Sequence, residues 1–247
     1  MNVVATSWFT TGEDPQRLVK NQPTYNNIKL WYESVCDLKL NGIIFHDNFS
    51  DQFTSKYTNT YVSFVKCNSN LLGLYSPNDF RFINYSDYFS NNHKVKNLFV
   101  TDCNDVIVRN DPFKDICAGS IYFCSEQRIL VSKNSEPTIR NNPWCFNLYK
   151  HVYPDFKYWD MPILNCGVIG GDRDTMLAFL NNVKREINSI NPVRAFFKSK
   201  PYLIDMAVTT KIAYDMFSKD EIITGEPVHS VYKLNQTNRN DVWFVHK

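Results

Sequence analysis

The chain contains little glycine and no long apolar run. Eight of its 247 residues are glycine, and no apolar stretch approaches the roughly 18 to 20 residues that span a bilayer. The first basic residue, Arg17, comes too late for the positively charged start of a signal peptide. These absences predict a protein that is not secreted and has no membrane span.

Cysteine is present, but not in a pattern that indicates disulfides or zinc. The seven cysteines are odd in number and widely spaced, and none of them forms a C-x-x-C pair. This usage argues against a zinc knuckle and for reduced thiols, so it predicts a cytoplasmic location.

Two common nucleotide signatures and a strong charge bias are also missing. The sequence has no G-x-x-x-x-G-K-[ST] phosphate loop and no G-x-G-x-x-G fingerprint. Its net charge is +2, with lysine and arginine scattered along the chain. Nucleic acid is therefore not an expected partner.

What the sequence does contain is an alternation of short apolar segments and longer amphipathic ones. No internal repeat or linker divides it, so one domain over 1–247 is predicted. Strands separated by helices indicate an α/β fold with a central, mostly parallel sheet flanked by helices. Predicted strands are Val3–Phe9, Gly42–Phe45, Tyr61–Val65, Leu98–Thr101, Ile121–Cys124 and Val168–Ile169, and predicted helices lie mostly within Pro15–Leu40 and over Asn78–Asn91, Asp174–Ile190 and Tyr202–Met216.

Two aspartates follow one of these buried strands. Asp102 comes directly after Leu98–Thr101, and Asp105 lies three residues later. Ligands bind at the carboxyl ends of strands in such sheets, and paired carboxylates suit Mg²⁺ or Mn²⁺. The simpler alternative is that both aspartates cap a turn, but the apolar segments on either side favour the metal site.

A second notable segment concentrates three of the glycines, in the run from Pro162 to Asp172. Glycine beside a strand often marks the close approach of a ligand or of another backbone. The alternative is a tight turn into the next helix, with Asp172 or Asp174 as its N-cap.

The last residues predict a further ligand. The apolar run from Val242 to Val245 has the composition of a final strand that delivers His246 and Lys247 together. Neutral histidine is a competent Mn²⁺ ligand. His229 is the reserve ligand, and a frayed terminus with a coincidental histidine is the competing interpretation.

Together these blocks resemble a known enzyme family. The strand followed by Thr-Asp-x-x-Asp-Val, the Leu-Asn-x-Gly-x-x-Gly-Gly segment, a later helix carrying an aspartate and the final His-Lys pair are similar to GT-A nucleotide-sugar glycosyltransferases. The opening from Thr6 to Arg17 resembles a subgroup found in large DNA viruses and some bacteria, including the chlorella-virus capsid glycosyltransferases. The glucosyltransferase domain of procollagen lysyl hydroxylases is similar around its D-x-x-D.

The resemblance implies a GT-A-like domain and a set of site residues. It implies that Asp102, Asp105 and His246 hold Mn²⁺ or Mg²⁺. It also implies residues that bind the nucleotide-sugar donor, including its diphosphate and its sugar. These residues are Thr6, Ser7, Thr10, Arg81, Asn104, Asn165, Gly167, Gly171 and Lys247. Many relatives carry Asp-x-Asp, whereas Asn104 stands at that position here. The metal could therefore depend on Asp105 more than on Asp102, or could use the Asn104 carbonyl.

The implied reaction moves a hexosyl or deoxyhexosyl group from a nucleotide-sugar donor, a UDP-sugar above all, to a hydroxyl of a glycan or glycoprotein. If the chain is viral, the site of action would be the host cytoplasm. An inverting enzyme needs a carboxylate base near the acceptor hydroxyl. Asp205 is the first candidate, because the resemblance places it at the reaction centre, and Asp160 is the second.

Two other functions compete with this interpretation. A haloacid-dehalogenase-type phosphohydrolase also places aspartate after a buried strand, but it needs a second aspartate where Asn104 stands. A module that binds a nucleotide sugar or a glycan without turnover would keep the same pocket, and a donor-hydrolysis assay separates it from an enzyme.

Overall fold

The fold is taken from a computed structural model, which describes residues 1–14, 18–72, 74–126, 138–196, 203–232 and 234–247. Within these ranges the strands are β1 (Asn2–Trp8), β2 (Glu13–Asp14), β3 (Val19–Lys20), β4 (Gly42–His46), β5 (Val62–Lys66), β6 (Asn97–Thr101), β7 (Val106–Val108), β8 (Ile121–Ser125), β9 (Leu164–Asp172), β10 (Ile222–Thr224) and β11 (Phe244–His246). The helices are α1 (Tyr25–Asp37), α2 (Asp51–Tyr57), α3 (Pro77–Ser90), α4 (Pro143–Val152), α5 (Arg173–Phe196) and α6 (Asp205–Met216), and Ser69–Leu71 forms a 3₁₀ turn.

Seven strands form a central sheet in the order β10-β8-β9-β6-β1-β4-β5. All neighbouring pairs are parallel except the two that involve β9, which runs antiparallel to β6 and β8. The predicted α/β class, with a mostly parallel sheet flanked by helices, is confirmed.

Both faces of the central sheet are apolar, because other elements of the fold pack against each of them. Strands β4, β6 and β8 consist mainly of branched and aromatic residues, as is typical of strands buried on two sides. One core contains residues of α3, α5 and α6, and the other lies under α1 and the small sheet formed by β7 and β11. No helix within the described ranges is both long and apolar enough to cross a membrane.

The predicted helix over Pro15–Leu40 is wrong in its first part. Residues 15–17 lie outside the described residues, and β3 and an irregular segment precede α1. Pro23 disfavours helical geometry at the residue before it, and α1 begins only after the Thr24 N-cap position. The helix predicted from Tyr202 begins at Asp205, and Tyr202 itself is outside the described residues.

The glycine-rich segment is part of a strand, so its interpretation as a tight turn is wrong. The predicted N-cap at Asp172 is confirmed, because Asp172 Oδ1 accepts from the Asp174 and Thr175 amides at 3.0 and 3.1 Å at the start of α5. β9 extends over nine residues, whereas only Val168–Ile169 was predicted. A side chain on Gly170 would overlap the Phe99 ring, and one on Gly171 would lie 2.8 Å from the Ser120 carbonyl oxygen. These two glycines allow neighbouring groups to pack closely across β9.

Candidate functional site

A cleft lies at the carboxyl ends of β1 and β6, where the parallel strands end. It surrounds about 570 Å³ of space that includes open solvent. Its lining comes from the end of β1, from the β2–β3 region, from the start of α3 and from the loop after β6, and comprises Ser7, Trp8, Phe9, Asp14, Asn21, Pro77, Asn78, Arg81, Asp102, Cys103, Asn104 and Asp105. The polar residues predicted to follow strands therefore do meet at one sheet edge.

Asp102, Asp105 and His246 come together at this edge and form what we call the Asp-Asp-His cluster. Their ligand atoms all lie within 4.8 Å of one another. The His246 Nε2 atom is 3.9 Å from Asp102 Oδ2 and 4.0 Å from Asp105 Oδ2. Within the described part of the chain, this is the group of three such side chains that could hold a metal ion.

The small sheet of β7 and β11 explains how His246 reaches the aspartates. β7 begins directly after Asp105, and its antiparallel register sets His246 opposite Val106. The Lys247 amide then donates to the Asp105 carbonyl oxygen at 2.9 Å. The final strand is confirmed over Phe244–His246, so His246 lies in an anchored strand.

The spacing of the cluster fits a metal ion. Two ligands at about 2.1 Å from one ion can be at most about 4.2 Å apart, and the two separations from His246 fall within that limit. The His246 side chain is 1% exposed, whereas those of Asp102 and Asp105 are 29% and 26% exposed. Buried imidazole on one side and partly open carboxylates on the other leave room for ligands from solvent or substrate.

Gly167 lies directly against the His246 side chain of this cluster. A Cβ atom at this position would lie 2.7 Å from His246 Nε2 and 3.0 Å from Asn165 Oδ1. The Asn165 side chain also accepts a hydrogen bond from the Gly167 amide at 2.8 Å. Asn165 and Gly167 therefore lie beside the cluster, and their contact with the donor sugar stays a prediction.

Arg81 lies between two carboxylates. Its guanidinium pairs with Asp102 Oδ1 and, at 3.0 Å, with Asp205 Oδ2. Burial lowers the pKa of Arg81, but the neighbouring Asp102 carboxylate raises it. The resulting pKa of Arg81 is well above its ordinary value. The two oxygens of Asp102 are thus divided, Oδ1 toward Arg81 and Oδ2 toward His246.

Asp205 is a buried partner of Arg81. It is 2% exposed, its Oδ2 accepts from Arg81 and from the Cys166 thiol at 3.1 Å, and its Oδ1 accepts from the Met206 amide at 2.8 Å. Burial raises the pKa of the Asp205 carboxyl, and the Arg81 guanidinium opposes that shift. Its role as a base stays a prediction.

Asp160, the second base candidate, is a surface residue. Its side chain is 77% exposed and forms a two-point pair with Arg140, the shorter contact being 2.7 Å. The hydrogen bond from Arg140 lowers the pKa of the Asp160 carboxyl, which makes it a weaker base.

The remaining predicted donor residues divide into two groups. Ser7 and Asn104 line the cleft. Thr6 and Thr10 are buried: the Thr6 hydroxyl donates to the Thr101 carbonyl oxygen at 2.8 Å, and the Thr10 amide donates to Asp47 at 2.9 Å. Their buried hydroxyls do not line the cleft.

Gly171 is not brought to the cluster. It is paired with Leu98 at the start of β6, four positions and so about 13 Å before Asp102. Its close neighbour is the Ser120 carbonyl, which indicates backbone packing at that end of the sheet.

His229 is not a reserve ligand, because its Nε2 atom accepts hydrogen bonds from the backbone amides of Ser125 and Gly225, at 3.1 and 3.0 Å. An imidazole nitrogen used in this way has no lone pair left for a metal.

Sequence reasoning missed Glu126 and Tyr232. The Glu126 carboxylate is buried and accepts from the Asn165 amide at 3.4 Å. The Tyr232 ring lies 4.4 Å from that of His246, and burial, with the nearby Asp105 and Glu126 carboxylates, raises its pKa. Glu126 lies two residues after the predicted strand Ile121–Cys124, and that position was the signal available for it.

Comparison with known proteins adds no further assignment. No model of a protein family matches the chain, and no curated protein matches it.

Proposed function

We propose that the chain is a metal-dependent glycosyltransferase that moves a sugar from a nucleotide-diphosphate donor, a UDP-sugar above all, to a hydroxyl of a glycan or glycoprotein. The observation that carries the proposal is the Asp-Asp-His cluster at the carboxyl ends of parallel strands, beside a polar cleft that opens to solvent. Its likeness to GT-A enzymes rests on the sequence motifs that meet there.

The charges around the cleft explain why the donor needs a cation. Asp14, Asp102 and Asp105 line it, and Arg81, the one cationic side chain among the described residues of its lining, already pairs with two carboxylates. A diphosphate would be repelled by this surface. A Mn²⁺ or Mg²⁺ ion supplies positive charge to the diphosphate leaving group when it is bound. Asp102, Asp105 and His246 would hold that ion.

The other residues of the site bind and orient. Ser7 and Asn104 offer hydroxyl and amide groups to the donor from the walls of the cleft, while Lys247 follows His246 and can place an ammonium near the phosphates. Asn165 and Gly167 shape the side of the cluster that faces β9. Asp205 stays the first candidate for the base that takes the acceptor proton, and Asp160 the second.

A module that binds donor without turnover is the second candidate function. The specific observation in its favour is that both oxygens of Asp205 already accept hydrogen bonds. Binding that depends on Mn²⁺, with neither hydrolysis nor transfer for any nucleotide sugar, would identify such a module.

Calorimetric titration of UDP with and without Mn²⁺ tests the proposal. We expect binding in Mn²⁺ and its loss in chelator. Asp105→Asn and Asp102→Asn should each weaken binding well over tenfold, about 1.4 kcal/mol or more. Comparing the two shows whether the metal depends more on Asp105.

The control is Asp220→Asn, which changes an exposed aspartate in the turn before β10. It should bind as the wild type does. Equal binding in chelator, or unchanged binding after Asp105→Asn, would contradict the proposal.

A further inference from the structure

His229 connects the central sheet to the strand that carries His246. It is 1% exposed, and its ring lies among the carboxyl ends of β8 and β10. The Nε2 atom accepts from the Ser125 and Gly225 amides, at 3.1 and 3.0 Å, and the Thr224 hydroxyl is 3.3 Å away. The Nδ1 atom is 2.8 Å from the Ser230 carbonyl oxygen.

These partners fix one protonation state. A carbonyl oxygen can only accept a hydrogen bond and a backbone amide can only donate one, so Nδ1 must carry the proton and Nε2 must be bare. Burial lowers the pKa of His229, which agrees with a neutral ring.

Residues 227–230 in turn lie along β11, on the edge that β7 leaves open. The Trp243 and Phe244 amides donate to the Pro227 and Val228 carbonyl oxygens, at 2.7 and 3.1 Å, and the Ser230 amide donates to Phe244 at 2.9 Å. The Ser230 hydroxyl accepts from the His246 amide at 3.2 Å. An unbroken path of hydrogen bonds therefore leads from the sheet through His229 and Ser230 to His246.

We propose that His229 is a positioning residue for the Asp-Asp-His cluster: it fastens residues 225–230 to the ends of β8 and β10 and thereby sets where β11 presents His246. The inference rests on the proposed function, since it takes the cluster to be a metal site. Residues that orient a metal ligand are commonly needed for affinity even though they do not touch the metal.

Mn²⁺ alone is the probe, and its binding is followed by the loss of the free-ion signal in electron paramagnetic resonance. His229→Leu should weaken Mn²⁺ binding about tenfold or more at a temperature where circular dichroism shows it folded. His229→Gln keeps an acceptor near the two amides and should recover a large part of the affinity. Ser230→Ala, which removes the acceptor for the His246 amide, should also weaken binding.

The matched control is Val183→Ala, which opens a cavity on the opposite face of the sheet, in the core under α5. It should lower the melting temperature and leave Mn²⁺ affinity unchanged. Mn²⁺ affinity within twofold of wild type in both His229→Leu and Ser230→Ala, or an equal loss in Val183→Ala, would overturn the proposal.

If the wild type does not bind Mn²⁺, the proposed function fails and the positioning role is decided separately. The ¹⁵N resonances of the His246 ring should then move in His229→Leu and Ser230→Ala and stay in place in Val183→Ala. Unmoved resonances would overturn the role of His229.

Discussion

At the scale of single residues, a substitution of Gly167 tests whether the Asp-Asp-His cluster binds a metal ion. A Cβ atom there would press on His246 Nε2 and Asn165 Oδ1 without requiring an unusual backbone. We predict that Gly167→Ala folds but weakens Mn²⁺ binding about tenfold, because the imidazole must move away from the two carboxylates.

Gly171→Ala is the matched change in the same strand. Its Cβ would meet the Ser120 carbonyl oxygen at 2.8 Å, far from the cluster along β9. It should lower the melting temperature and leave Mn²⁺ and donor binding intact. If it weakened donor binding as much as Gly167→Ala, the implied contact between Gly171 and the sugar would regain support.

A second prediction at this scale separates two roles of Asp205. Asp205→Asn removes one of the two carboxylates around Arg81, so we expect a loss of about 1.5–3 kcal/mol in unfolding free energy. If Asp205 is also the catalytic base, Asp205→Asn should lower turnover about 10²-fold or more and leave donor binding nearly unchanged. Urea denaturation and steady-state kinetics on one variant measure both, and full transfer activity would move the base role to Asp160.

At the scale of elements, β11 is the part on which the site depends most. Phe244 is fully buried and its ring lies 5.1 Å from that of Phe99. We predict that Phe244→Leu costs about 1–3 kcal/mol of stability and also weakens Mn²⁺ binding, because β11 loses an anchor two residues before His246.

Phe179→Leu is its counterpart on the other face, where Phe179 of α5 packs against Phe123 at 5.6 Å. A similar loss of stability with unchanged Mn²⁺ binding is expected, as measured by thermal unfolding and electron paramagnetic resonance. Equal effects of both variants on Mn²⁺ would show that binding follows overall stability and not the position of β11.

The same elements show what sequence could predict. β1, β4 and β6 are dense runs of branched and aromatic residues, and such runs indicate a strand from the local sequence alone. β7 and β10 have three residues each, and α2 presents no buried residue, so their local signals are weak.

The contacts of the site depend on distant pairing. The ion pairs from Arg81 to Asp102 and Asp205 join α3, the loop after β6 and α6, which no spacing along the chain reveals.

Strand alternation places Thr6 and Ser7 on opposite faces of β1, so they cannot both face the cleft. The cluster was predictable because Asp102 and Asp105 follow a buried strand and His246 ends an apolar run. The hydrogen bonds through His229 join residues that are distant in sequence and are visible only in the structure.

At the scale of the whole molecule, metal and fold should be linked. An ion that binds the native cluster and not the unfolded chain raises stability by about 2.7 kcal/mol at a hundred times its Kd. We predict that Mn²⁺ raises the melting temperature of the wild type and not that of Asp105→Asn. A thermal-shift titration measures it, and the same rise in both proteins would place Mn²⁺ binding elsewhere.

Stability should also fall in mild acid because two histidines are buried and neutral. Burial lowers the pKa of both His46 and His229 from the ordinary 6.5. Above pH 6.5 neither the folded nor the unfolded form holds the extra proton. Below it the unfolded chain binds protons that the folded chain resists, so the unfolding free energy decreases as the pH falls.

Urea denaturation in chelator at several values from pH 8 to pH 5.5 measures this decrease. His229→Gln removes one of the two groups, and we expect a shallower dependence on pH between 6.5 and 5.5 than in the wild type. His151→Gln removes an exposed histidine of α4 and should keep the wild-type slope. If His229→Gln kept the full slope while His151→Gln lost part of it, the neutral state assigned to the buried His229 ring would be wrong.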